Sequence, residues 1–280
     1  MRLQYRLLNV FARPADPFSG NPLCVFEDGS SLSDAQMQGL ARQFNLSETT
    51  FVVPAGAGGD AGVRIFTTEY EMSFAGHPTL GTAHAVRAMG RGGDLVTLSM
   101  PAGSIPVAAQ GDKWTLTAVR GQVRSELDAD RLAAALGLEP GDLLTAHEVS
   151  TGTTQVVARA RDVDAVGRAR AVPSEIAGYA RMGVSGGEVL VYVWAQRDGA
   201  TLEARALVSD GQVAGEDPTT GSACVNLGTL FAAAGRRGEW TIEQGARVGR
   251  PSTLHLSVDG AGTVRVGGLV HEVGQGGVAL

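Results

Sequence analysis

Two short stretches carry the residues best suited to chemistry. His77-Pro78-Thr79-Leu80-Gly81-Thr82-Ala83 and Asp217-Pro218-Thr219-Thr220-Gly221-Ser222-Ala223 share four of seven positions, and Thr82 and Ser222 both carry a hydroxyl. In each, a polar side chain (His77, Asp217) precedes a proline and an apolar run follows. Proline suits the first position of a helix, so the pattern predicts helices opening at Pro78 and Pro218. The unpaired N–H groups and partial positive charge at a helix start receive a carboxylate or similar anion. Two such starts facing one cleft, one flanked by an imidazole and one by a carboxylate, would form a pocket symmetric in backbone and asymmetric in chemistry. Each residue also has an ordinary role, Asp217 as a helix cap and His77 as a loop side chain.

The two stretches lie 140 residues apart, half of the 280-residue chain, which points to an internal duplication. The run after Pro78 has one charge, Arg87, and Pro218 to Gly235 has none. A helix without a polar face is buried on all sides. The expected fold is therefore α+β, with two similar pseudo-symmetric domains, each an antiparallel sheet curled around a central helix. The first spans 1–120 with its helix from Pro78. The second spans 121–280 with its helix from Pro218, and the last strand can cross back to the first domain. The boundary falls near Arg120–Leu127. Gly81 and Gly221 cost roughly 1 kcal/mol each against alanine inside a helix. Close approach of another backbone, or of a ligand, would account for them.

The remaining elements follow from period and punctuation. Short apolar or alternating runs predict strands at Tyr5–Phe11, Leu23–Glu27, Thr50–Val53, Val63–Thr67, Leu95–Met100, Ile105–Ala109 and Trp114–Val119. The second half repeats this texture at Gln155–Ala160, Val189–Trp194, Thr201–Leu207, Trp240–Glu243, Thr253–Val258 and Thr263–Val266. SDAQMQGLARQFN opens with a capping box, Ser33 with Gln36. LDADRLAAALG ends on Gly137, a suitable helix stop, and VPSEIAGYARMG runs from Pro173 to Gly183. Glu48, in NLSETTFVV, stands between a capped helix and an apolar strand, where a glutamate is ordinarily solvated.

Several function classes are excluded. A net charge of −6 with no basic run does not suit nucleic acid or an anionic membrane. The start, MRLQYRLLNVF, is too short and polar for a signal peptide, and the apolar run from Pro218 is a poor membrane span. A cytoplasmic protein is expected. Cys24 and Cys224 make no disulfide framework and read as buried apolar residues. There is no HExxH or CxxC motif, and on one helix His77 and His84 would stand about 10.5 Å apart along its axis, so no metal is expected. GAGGDAG (Gly56–Gly62) leads into a strand, which makes it a hairpin turn rather than a dinucleotide loop.

VFARPADPFSGNPLCVF, NLSETTFV, RIFTTEYEMSFAGHPTLGTAH, EDPTTGSA and EQGARVGRPS, taken in order along nearly the whole chain, resemble the phenazine-biosynthesis PhzF-like family. That family is similar in fold to diaminopimelate epimerase, with two similar domains and the site between them. Its namesake isomerises trans-2,3-dihydro-3-hydroxyanthranilate without cofactor or metal. The resemblance implies that Glu48 is the catalytic acid/base. It further implies that Gly76 and His77, with Asp217, Gly221 and Ser222, hold the substrate's carboxylate and amino groups and assist proton transfer. It also implies a homodimer. Related epimerases place two cysteines near the helix starts; here those places hold His77 and Asp217, which argues against two-thiol racemisation. Thr68 and Ser73 stand where the family has prolines, which bears on loop stiffness. Thr219 replaces an apolar residue and could alter substrate fit. The reading is a cofactor-independent isomerase of a small carboxylate-bearing substrate. The alternatives are an epimerase or racemase of an amino-acid-like compound and a non-catalytic small-molecule binder.

Overall fold

The computed structural model describes residues 1–56, 58–176, 178–179 and 188–280. The backbone divides into two compact units, Met1–Thr117 with Gly267–Leu280, and Ala118–Val266. The fold is α+β, as expected.

The first unit contains β1 (Arg2–Ala12), β2 (Asn21–Phe26), α1 (Asp34–Phe44), β3 (Glu48–Val53), β4 (Ala61–Phe66), β5 (Glu71–Met72), α2 (Gly76–Ala88), β6 (Leu95–Met100), β7 (Gly103–Gln110) and β8 (Lys113–Thr117). The second contains β9 (Gln122–Leu127), α3 (Ala129–Ala135), β10 (Leu143–Ser150), β11 (Thr154–Ala160), α4 (Val163–Arg168), α5 (Pro173–Ile176), β12 (Val189–Asp198), β13 (Thr201–Ser209), β14 (Ala214–Asp217), α6 (Gly221–Ala233), β15 (Gly238–Gln244) and β16 (Ser252–Val258). The last strand, β17 (Val264–Ala279), starts in the second unit and completes the first.

In the first unit β17 pairs antiparallel with β1, and β1 with β2. β2 runs parallel to β3, β3 antiparallel to β4, and β4 parallel to β6. β6, β7 and β8 form a meander, and β8 pairs with β17, which closes a barrel. Closure removes the free strand edges. The chain end therefore returns to the first unit. Its Gly-rich tail, HEVGQGGVAL, hides a strand whose partner, β1, lies at the other end of the sequence.

Helix α2 packs against β1, β2, β3 and β6. A Cβ on Gly81 would lie 2.5 Å from Leu23 Cδ2 and 2.9 Å from Val10 Cγ2, so the glycine lets the helix settle onto the sheet's side chains. Helix α1 covers the opposite face. Its capping box forms as read, with Ser33 Oγ accepting from the Gln36 N–H and Gln36 Oε1 accepting from the Ser33 N–H. Met37 and Leu40 of α1 pack with Cys24, Phe26, Phe51 and Phe66. Side chains alternate along a strand. Phe51 faces α1, which turns Glu48 and Thr50 toward the α2 face.

The second unit orders its strands β9–β10–β11–β12–β13–β15–β16, with β14 also on β13. The segment 122–127, read as a domain boundary, is strand β9. Its alternation of polar residues concealed it, because burial there is only partial. α6 packs against β9, β10, β11 and β16, while α3, α4 and α5 supply the cluster on the other face. β12 shows why its sequence is apolar from Val189 to Ala195. Val189, Val191 and Val193 join that cluster, while Trp194 meets Phe231 of α6 with ring centroids 5.2 Å apart. A strand covered on both faces loses the polar alternation. Gly137 takes φ 62° just past α3, as its helix-stop reading requires. The proposed stop at Gly183 lies outside the described residues.

The two central helices do not begin at their prolines. α2 starts at Gly76, which puts His77 and Pro78 at its second and third positions. The missing N–H of Pro78 falls in the first turn, where no helical acceptor exists. α6 starts at Gly221, three residues after Pro218, because the intervening residues are held as a loop by Asp217. Asp217 is therefore not the cap of α6; Thr220 occupies that position. Among the described residues, no helix is long and apolar enough to cross a membrane.

Candidate active site

In the first unit the site grows from β3 and α2. Thr50 and Thr82 share a buried hydroxyl–hydroxyl hydrogen bond of 2.8 Å, which sets the level of strand against helix. Two residues back along the strand is about 6.6 Å. Five residues back along the helix is about 7.5 Å. These steps arrive at Glu48 and His77, and Glu48 Oε2 lies 3.4 Å from His77 Nδ1. Asn45, in a left-handed conformation at the end of α1, turns the chain so that Leu46 and Ser47 lead straight into Glu48.

His77 is 5% exposed and the Glu48 side chain 16%. Burial pushes the imidazole pKa from its ordinary 6.5 to about 3, opposed only in part by a hydrogen bond to the Pro22 carbonyl. Desolvation disfavours the charged ring, so His77 is neutral near neutral pH. The contact with Glu48 is then not an ion pair despite its geometry. Gly76, immediately ahead, is partly exposed at the start of the helix. α2 has no acidic residue in its first turn and no side-chain cap on its first N–H groups.

In the second unit the site grows from the loop into α6. Asp217 Oδ2 accepts from the Thr220 hydroxyl at 2.6 Å, and Oδ1 accepts from the Thr219 N–H at 3.4 Å. Gln244, at the end of β15, donates from Nε2 to the Asp217 carbonyl at 3.0 Å and to Thr220 Oγ1 at 3.3 Å. Buried Tyr192 donates to Gln244 Oε1 at 3.1 Å; burial pushes its phenol pKa well up, so it stays a donor. Gly245 has φ 77°, and a Cβ there would lie 2.3 Å from the Arg250 carbonyl oxygen and 2.4 Å from that of Pro218. The loop after β15 is thus moulded onto the Asp217–Pro218 turn. Thr219 is 1% exposed and its hydroxyl donates to Ser252 Oγ, so this departure from the family pattern forms an internal hydrogen bond. Ser222, partly exposed, accepts from Gln155 Nε2 at 2.9 Å. α6 likewise has no first-turn acid and no side-chain cap bond, which leaves the Gly221 and Ser222 N–H groups without helical acceptors.

Sequence reasoning named Glu48, Gly76, His77, Asp217, Gly221 and Ser222 but missed what holds them. Thr50, Gln155, Asn226 and Gln244 are polar residues inside apolar runs or beside a glycine turn, and that exception to the local pattern was the available signal. Cys24 and Cys224 are buried and their thiol pKa values are pushed far up by desolvation, so neither is a thiolate near neutral pH. Among the described residues, no three His, Cys, Asp or Glu side chains cluster as a metal site would need.

Comparison with known proteins adds a second line. The model of a family described as phenazine biosynthesis-like protein matches residues 8–276. An uncharacterized isomerase of Pasteurella multocida is 34% identical, covering 97% of this chain and 92% of its own. The trans-2,3-dihydro-3-hydroxyanthranilate isomerase of Pseudomonas aeruginosa is 32% identical over 92% of this chain and 91% of its own. A crystal structure of a PhzF-family phenazine biosynthesis protein of Bacillus anthracis superposes with a TM-score of 0.84 at 22% identity, covering 100% of both chains.

Proposed function

Because the chain belongs to the phenazine biosynthesis-like protein family, we propose that it is a cofactor-independent isomerase that moves a proton within a small carboxylate-bearing substrate. The class, isomerase, follows the relatives' names. Glu48 removes a proton from one carbon, the electron pair of that C–H bond shifts into the adjoining unsaturated system, and the proton returns to another carbon. No net oxidation occurs and no co-reactant is consumed. Gly76 and His77, with Asp217, Gly221 and Ser222, bind the substrate's carboxylate and amino groups. The N–H groups at the helix starts stabilise the charge that develops during transfer. The proposal includes a homodimer, as the family resemblance implies.

One observation carries this reading: Glu48 meets a buried, neutral His77 rather than a cation. A base locked to an imidazolium would give up part of its drive to take a proton, and a neutral ring imposes no such ion-pair penalty. The same proposal treats the two units as descendants of one half-length ancestor. The seven-residue match supports it, as does a 13-residue buried helix in each unit. The helix starts are 145 residues apart rather than 140, so any duplication has since diverged at the second loop.

The first compound to try is trans-2,3-dihydro-3-hydroxyanthranilate, for which the Pseudomonas aeruginosa relative is named. Turnover should survive dialysis and chelators, and the receiving carbon should gain deuterium in D2O unless the proton returns before exchange. Glu48→Gln should abolish turnover while folding and ligand affinity persist. Label confined to the donor carbon with inverted configuration would identify an epimerase instead. Activity lost on dialysis and restored by a metal or nicotinamide would overturn the proposal, as would near-normal turnover by Glu48→Gln.

A further inference from the structure

Behind Ser222 runs a line of buried polar side chains that the proposed reaction does not itself use. Gln155 Nε2 donates to Ser222 Oγ at 2.9 Å, and Gln155 Oε1 accepts from Asn226 Nδ2 at 2.8 Å. Asn226 Nδ2 also donates to the Thr153 carbonyl at 3.3 Å, and Thr151 Oγ1 donates to Asn226 Oδ1 at 2.9 Å. Asn226 is 0% exposed and Gln155 3%. Ser222 and Asn226 are four residues apart on α6, so they share one helical face, and Gln155 on β11 bridges them.

The direction of every bond in this line follows from its far end. A backbone carbonyl accepts and never donates. The Thr153 carbonyl therefore requires the NH2 side of Asn226 to face it. The second proton of that NH2 then meets Gln155, which must present its oxygen. With its oxygen engaged, Gln155 presents its NH2 to Ser222, and Ser222 must accept. A serine hydroxyl has one proton to give. Among the described residues, the Ser222 proton has no acceptor, and the side chain is partly exposed.

We infer that Gln155 is a positioning residue that fixes Ser222 as a hydrogen-bond donor to substrate, so that Ser222 selects an acceptor such as a carboxylate oxygen and disfavours a donor such as an ammonium or carboxamide NH2. The inference rests on Ser222 contacting substrate, as proposed above. Free serine hydroxyls rotate to suit either partner, and a buried amide whose own orientation is dictated removes that choice. The cost of a wrong partner is then an unmade hydrogen bond in a desolvated site.

Two arms test it. Neutron diffraction from the deuterium-exchanged protein distinguishes the nitrogen and oxygen of Gln155 and locates the Ser222 deuteron. The NH2 side should face Ser222, with the hydroxyl deuteron pointing away from Gln155; the oxygen facing Ser222 would overturn the inference, whatever the substrate is. The second arm measures binding of 2-aminobenzoate and of 2-aminobenzamide by calorimetry, for the wild type and Gln155→Glu, at about pH 8 and about pH 5. When ionised, the introduced carboxylate can only accept, so it captures the Ser222 proton; when protonated, it can donate again. The variant should bind 2-aminobenzoate about tenfold or more weakly at the higher pH and recover much of that at the lower. In a Ser222→Ala background this pH dependence should vanish. An equal loss at both pH values is the mark of a packing defect and would overturn the inference. Failure of the wild type to bind 2-aminobenzoate would instead count against the proposed carboxylate substrate, and the neutron map would still decide the direction of the bond.

Discussion

Replacing His77 by Gln offers a direct test of whether its ring is buried uncharged. In the folded protein its pKa is about 3, against an ordinary 6.5. The unfolded chain therefore binds a proton at His77 between these values while the folded chain does not. Stability contributed by the neutral ring is present above about pH 6.5 and is lost as pH falls toward about 3. Integrating this single titration gives almost no penalty at about pH 8 and a loss of about 2 kcal/mol at about pH 5. Asp142, Asp162, Asp210 and Asp259 have lowered pKa values, chiefly from hydrogen bonds. Their contributions fall away only as pH drops below the ordinary carboxylate range, so the window above about pH 5 isolates histidine. His84 shifts in the same direction through burial but is present in both proteins. Urea unfolding across this window should show the wild type losing about 2 kcal/mol more than His77→Gln. Any uniform cost of the glutamine cancels in the difference. Parallel curves would refute the buried neutral ring. A wild type that instead gains stability on acidification, relative to the variant, would show that His77 and Glu48 form an ion pair.

Asp217→Ala removes the acceptor of Thr220 Oγ1 and the Thr219 N–H. It should weaken substrate binding as well as turnover, by about tenfold or more if one charged hydrogen bond to ligand is lost; unchanged ligand affinity by calorimetry would confine Asp217 to holding its loop. Gly245→Ala must displace the Pro218 or Arg250 carbonyl and strain a left-handed backbone. It should lower stability by about 1–3 kcal/mol in urea unfolding, with a further fall in kcat that Gly249→Ala, which meets no neighbouring atom within 4 Å and takes a similar φ of 71°, should not show. Equal kcat in the two variants would remove the argument that the loop after β15 supports Asp217.

The sequence alone determined the parts of this protein whose cause is local. The uncharged run after Pro218 announced a helix with no solvent face, and α6 is buried along nearly its whole length. Ser33 with Gln36 announced the start of α1, and Gly137 the end of α3, because caps are satisfied within a few residues. Alternating runs announced most strands. Tertiary structure decided what depends on distant partners. β9 and β10 are polar or mixed in pattern and exist because they pair with each other, and the Gly-rich tail is a strand because β1 offers it a ladder. The start of α6 moved from Pro218 to Gly221 because Asp217 and Gln244 together hold the intervening loop. Glu48 is one of 29 acidic residues in the sequence. What distinguishes it is that Phe51 is committed to the α1 face, so alternation turns Glu48 toward α2 and His77. The charge state of His77 was equally illegible, because desolvation is set by everything packed around a ring and not by the residues beside it in the chain.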